Sequence, residues 1–145
     1  MSEGRYELDK AYTESFFGWG DNAAQQKVLA EYFVPKIIEK FNPKYVFDIG
    51  CGTGQWLDEY KIEEEDYSID FVQSFEVAEH IEEEYANVFI HNLIKDDPDI
   101  VLLTAAPIGQ EGAGVQHVNC KEREYWMKKM KDKEYLFNQD LLNEI

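Results

Sequence analysis

The segment Asp48-Ile49-Gly50-Cys51-Gly52-Thr53-Gly54 concentrates the chemistry of this sequence. Glycines at alternate positions let a backbone turn sharply, and they let a ligand approach main-chain atoms that a Cβ would cover. A carboxylate, Asp48, stands directly before them, and Cys51 supplies a small side chain inside the loop. The Gly-x-Gly-x-Gly spacing differs from the Gly-x-Gly-x-x-Gly of dinucleotide binders, which weakens a nucleotide-dependent oxidoreductase. Proton-transfer candidates are His80 and His117. A lone histidine is more often structural than basic, and both readings stand for each. Asn119 either orients a ligand or satisfies a loop backbone, and His91 reads as a surface residue. Cys51 and Cys120 show neither a disulfide framework nor metal-ligand spacing, and no metal is expected. A Gly-x-Ser-x-Gly elbow is also lacking.

The elements that must carry these residues follow from periodicity. Val28, Leu29, Tyr32, Phe33, Ile37, Ile38 and Phe41 recur at helical spacing after a cap at Asp21 or Asn22, with Pro35 inside the helix. Asn42-Pro43 ends it, and Tyr45 to Ile49 form a short buried strand that delivers the glycine loop. A short helix is expected from about Gln55 to Lys61, and strand character from Tyr67 to Val77. The stretch Glu79 to Lys95 reads as helix until Asp97-Pro98. Asp99 to Ala105 reads as a strand buried on both faces. A glycine-rich loop, Pro107 to Gly114, leads to His117. A helix from Lys121 to Asp132 and a final strand within Tyr135 to Leu142 complete the chain. Helices alternating with apolar strands predict one α/β domain over 1–145, with an N-terminal helical arm (1–43), a core (44–145) and a mainly parallel sheet.

Composition narrows the function classes. Fourteen Lys and Arg face thirty Asp and Glu, a formal net charge of -16. Such a chain repels phosphate backbones, so nucleic acid and anionic membrane are disfavoured partners. The lysines at 128, 129, 131 and 133 are diluted by neighbouring acids and read as a solvated helix face. With no apolar leader and no stretch near the ~20 apolar residues of a membrane span, the chain reads as soluble, reduced and cytoplasmic.

The segment from Asp48 to Gly54 resembles motif I of the class I S-adenosylmethionine (SAM) dependent methyltransferases. The resemblance implies a Rossmann-like fold and SAM as cofactor, with Asp48 toward the methionine ammonium and Gly50, Cys51, Gly52 and Gly54 lining the ligand. Gln73-Ser74-Phe75-Glu76-Val77-Ala78-Glu79-His80-Ile81 is similar to the family's fourth strand and the helix after it, which implies cofactor contacts at Ser74, Phe75 and Glu76. Ala105-Ala106-Pro107 with His117-Val118-Asn119 resembles the region after strand five. This puts His117 and His80 on the active-site rim as candidate bases. Tyr12, Phe17 and Trp19 are either a lid over the methionine end or packing for the N-terminal arm. The tetrapeptide and Pro-Cys signatures of DNA methylases are missing.

The pattern also departs from the family. About thirty residues, one α/β unit, are missing between the second and fourth strands. Asp70 lies 22 residues after Asp48, near the ~20 at which a ribose-binding acid is found in nucleotide-binding units. It is either that acid or the residue that opens strand four. The implied activity is methyl transfer to oxygen or nitrogen of a small-molecule or peptidic acceptor. The alternative is a catalytically inactive SAM-binding or interaction protein of the same truncated fold, of viral or mobile-element type. Shortening the sheet should bring the first strand or the Tyr67–Phe75 segment nearer an edge, and exposed edges favour a homodimer.

Overall fold

The computed structural model describes residues 20–60, 68–111 and 117–143, with side chains described from residue 24 onward. Helix α1 (Gly20–Phe41) leads into strand β1 (Val46–Asp48) and helix α2 (Gln55–Tyr60). Strand β2 (Phe71–Ser74) is followed by two 3-10 turns, Ala78–His80 and Glu83–Tyr85, and helix α3 (Ala86–Ile94). Strand β3 (Ile100–Leu103), helix α4 (Arg123–Lys131) and the short helix α5 (Gln139–Leu142) follow. The protein is α/β, with a small open sheet of three parallel strands in the order β1-β2-β3.

Alternation along the strands divides the core into two layers. Phe71, Ile100, Leu102 and Val46 pack on one face against Ala30, Val34 and Ile37 of α1 and Tyr60 of α2. Val72, Val101 and Leu103 pack on the other, against Phe89, Ile90 and Leu93 of α3 and Trp126 of α4. Successive residues of a strand point to opposite faces, so one short run serves both layers. The buried stripe of α1 is Ala30, Val34 and Ile37, whereas Val28, Leu29 and Tyr32 from the expected apolar set are exposed. The helix closes at Asn42, whose positive φ of 45° and N–H bond to the Ile38 carbonyl make a left-handed stop before Pro43.

Several expected elements are redrawn. The strand expected over Tyr67–Val77 is confined to Phe71–Ser74, and it is the central strand, buried at all four positions. Among the described residues the sheet edges are therefore β1 and β3. Strand β3 is half-buried throughout instead of covered on both faces. The helix expected from Glu79 begins only at Ala86, because two 3-10 turns occupy its first part. The C-terminal segment, expected to hold a strand, forms α5, capped by the Asn138 side chain, which accepts from the Asp140 and Leu141 amides. Between this segment and β3 lies an apolar cleft of about 460 Å³. No helix among the described residues is long and apolar enough to cross a membrane.

Candidate functional site

The glycine loop leaves the carboxyl end of β1 and enters α2. Gly50, Gly52 and Gly54 all take positive φ, at 90°, 55° and 86°. The turn closes through Gly54 N–H to the Cys51 carbonyl at 2.8 Å, and Asp58 N–H then bonds the Gly54 carbonyl at 3.0 Å. A Cβ on Gly50 would drive into the Val77 side chain, whereas one on Gly54 would meet nothing within 4 Å. The first glycine thus seats the loop on the chain leaving β2, and the last borders open space.

Behind the loop, a buried relay holds Asp48. Gln73 donates from Nε2 to Asp48 Oδ2 at 2.8 Å, and its Oε1 accepts from the Tyr60 hydroxyl at 2.6 Å. Burial raises the Asp48 carboxyl above its usual value, and the Gln73 bond offsets part of that rise. Burial and the Asp48 charge also push the Tyr60 phenol up. Ser74 donates to the Ile49 carbonyl at 2.7 Å. Trp56, anchored by its indole N–H on Gln26 at 2.9 Å, packs on Phe75 with ring centroids 4.5 Å apart. An aromatic pair therefore flanks the loop.

A second cluster sits on the 3-10 turn just past Val77. Glu76 has a positive φ of 55° and accepts at Oε1 from the Thr104 hydroxyl at 2.9 Å. A glutamate in the left-handed region is uncommon and strained. Glu79 follows, fully buried, with no hydrogen-bond partner for either carboxylate oxygen. Its backbone carbonyl accepts from both Val118 and Asn119 N–H at 2.9 Å, which straps the segment after β3 onto the turn. That strap brings His117 against His80, with ring centroids 4.9 Å apart in an edge-to-face arrangement. One donor atom from each of Glu79, His80 and His117 lies within 4.8 Å of the others. His117 Nδ1 stands 2.9 Å from the Gln110 carbonyl. A carbonyl only accepts, so Nδ1 carries a proton, and in the neutral ring Nε2 is the nitrogen with the lone pair. Burial raises the Glu79 carboxyl above its usual value and the nearby Glu76 charge adds to the rise, while the Glu79 and Ala106 backbone N–H groups, close by but outside hydrogen-bond geometry, and His117 offset part of it.

Asp48, Gly50, Cys51, Gly52, Gly54, Ser74, Phe75 and Glu76 all gather at the carboxyl end of the sheet, with His80 and His117 close by. Asp70 does not join them. It precedes β2, at the opposite end of the strands, where its two carboxylate oxygens accept from Lys44 and Tyr45 N–H at 2.8 Å each. In this place it ties the start of β1 to the start of β2 and cannot reach a ribose at the glycine loop. Trp19, Tyr12 and Phe17 lie outside the described residues. His91 is exposed on α3.

Sequence reasoning missed Gln73, Tyr60, Trp56 and Glu79 as parts of the site. A glutamine inside an otherwise apolar strand was the available signal for the first. Adjacent Glu79 and His80 signalled ligand chemistry, but their third partner is supplied only by the strap. The result is an α/β protein whose parallel sheet carries a glycine loop and a Glu-His-His cluster side by side at its carboxyl end. Comparison with protein-family models, curated proteins and solved structures yields no match.

Proposed function

We propose that this chain binds SAM at the Asp48–Gly54 loop and transfers its methyl group to oxygen or nitrogen of a small-molecule or peptidic acceptor, within a shortened Rossmann-like methyltransferase fold. The observation that carries this reading is the glycine loop, with three positive-φ glycines and a half-buried acid, at the carboxyl end of the first strand of an open parallel sheet. Ligands of open α/β sheets bind at that end. The residues fit a nucleoside bearing an amino acid: Gly54 leaves room against the backbone, Asp48 offers a carboxylate to an ammonium, and Trp56 and Phe75 present aromatic surface.

SAM supplies a methyl group already activated on a sulfonium. The acceptor's lone pair forms the new carbon–oxygen or carbon–nitrogen bond, and the sulfur–methyl bond breaks with its electron pair returning to sulfur. The protein's share is positioning and removal of the acceptor's proton. His117 is suited to the second task, because its Nδ1–H is held by Gln110, which leaves Nε2 of the neutral ring as the proton acceptor. His80 stands against it. The acceptor then meets the cluster within reach of the loop, since Val77 packs on Gly50 and leads directly into the 3-10 turn.

Calorimetry with SAM, S-adenosylhomocysteine and NAD tests the assignment. SAM and S-adenosylhomocysteine should bind and NAD should not, and Asp48→Ala and Gly52→Val should abolish the heat while circular dichroism stays native. Unchanged SAM affinity in both variants would sink the cofactor reading. An inactive binding protein is favoured by one observation: among the described residues β1 has no strand on its outer side, so the adenine side lacks a wall. A screen for transfer of labelled methyl separates the two, since that alternative binds SAM and labels no acceptor.

A further inference from the structure

The Glu79 side chain is fully buried with both carboxylate oxygens lacking a hydrogen-bond partner among the described residues. A fully buried carboxylate normally accepts several hydrogen bonds. Two imidazoles face it from separate segments of the chain, all three donor atoms falling within 4.8 Å of one another. One carboxylate and two imidazoles are the donor set of open divalent-metal sites, which leave positions for water or a substrate oxygen. Donor atoms in a tetrahedral site are about 3.3 Å apart when metal bonds are about 2.0–2.1 Å. Closure therefore asks for side-chain adjustments of about an ångström.

His117 also carries the outer-shell feature that such ligands share. A metal-binding histidine usually donates its second ring N–H to a carbonyl or carboxylate, which fixes the tautomer and aims the other nitrogen. The Gln110 carbonyl, 2.9 Å from Nδ1, does this for His117. The two hydrogen bonds that Val118 and Asn119 N–H donate to the Glu79 backbone carbonyl hold the ligand segments together without using the donor atoms.

We infer that Glu79, His80 and His117 bind one divalent transition-metal ion, of the Zn2+, Co2+ or Fe2+ class, beside the glycine loop. Nitrogen donors select against Mg2+ and Ca2+, which prefer all-oxygen shells. The site stands independently of the SAM reading. If both hold, His117 Nε2 would be a ligand and not a base, and the ion would lower the pKa of an acceptor hydroxyl, whose proton would leave to solvent water.

The full chain, stripped with EDTA, is titrated with Co2+ while its visible absorption is followed, and then with Zn2+ by calorimetry. The inference expects one equivalent of Co2+ with d–d bands, displaced by Zn2+, and an affinity at least about tenfold weaker in Glu79→Gln and in His117→Asn. Zn2+ should raise the melting temperature of the wild type, and Glu79→Gln should erase that rise. This second readout decides the matter if His117→Asn fails to fold. Gly52→Val, which tests the SAM loop, should keep the metal, so failure of one reading leaves the other visible. Uptake well below one equivalent overturns the site, and so does uptake that Glu79→Gln leaves unchanged.

Discussion

The two ends of the same three strands are built on opposite terms. At the amino end Asp70 is tied by two backbone N–H groups at 2.8 Å, and both of its oxygens are used. At the carboxyl end Glu79 is buried deeper, yet neither oxygen has a partner, and Asn119 is buried with its amide unbonded. Left-handed backbone occurs at both ends, at Asn42 and Asp97 ahead of β1 and β3 and at Glu76 and the three loop glycines beyond β1 and β2, so it does not separate them. One end uses its polar groups to hold the fold. The other keeps polar groups in reserve at a stability cost, as sites prepared for a ligand do.

The largest expected effect falls where the loop meets the scaffold. Gly50→Ala adds left-handed strain of about 1–2 kcal/mol and overpacking on Val77 of about 1–3 kcal/mol. Urea denaturation should therefore show a loss of roughly 2–5 kcal/mol. Gly54→Ala, with the same kind of φ but no contact to make, should lose only the strain, about 1–2 kcal/mol, while weakening SAM. Equal losses at the two glycines would contradict the division of labour between them.

Asp70→Ala should cost about 1.5–3 kcal/mol, since two amides lose a charged acceptor and one of them is exposed. SAM affinity should change less than twofold, because the residue sits at the far end of the sheet. A tenfold loss of affinity with native stability would reverse the comparison. Tyr60→Phe should cost about 1–3 kcal/mol by leaving buried Gln73 Oε1 unbonded, and it should weaken SAM slightly by loosening Asp48. Calorimetry and denaturation on that one variant read both effects.

The smallest effect is in pH dependence. The native Asp48 carboxyl lies above its ordinary value of 3.8, because burial outweighs the Gln73 bond. Below 3.8 Asp48 is protonated in both folded and unfolded chains and carries no penalty. As pH rises through that value the unfolded chain ionises first, and stability falls until the native carboxyl also ionises. Asp48→Asn removes this penalty. Its melting temperature should therefore gain on the wild type as pH rises from 3.8 through the raised native value, and level off above it. A gap that stays constant with pH would show that Asp48 is not held in a desolvated state.

What the sequence determined by itself was local. The glycines permit a sharp turn, and all three take positive φ in it. Asn42-Pro43 and Asp97-Pro98 stop helices by their own stereochemistry, and the alternating helix and strand pattern gave the α/β class. Phe71 and Val72 lay in a run of strand character, and it was pairing on both sides with β1 and β3 that made theirs the central, buried strand. The rest depended on contacts between segments far apart in the chain. Asp70 stands in one sequence position that suits either end of a strand, and only the pairing of Val46 with Phe71 put it at the amino end. The strand expected near Tyr135 became α5 beside an apolar cleft, since short apolar runs do not distinguish strand from helix. The Glu79-His80-His117 cluster exists because the Glu79 carbonyl captures two amides from beyond β3. No spacing rule records a cluster of that kind, because its distances are fixed by hydrogen bonds across the sheet's end and not by the chain between them.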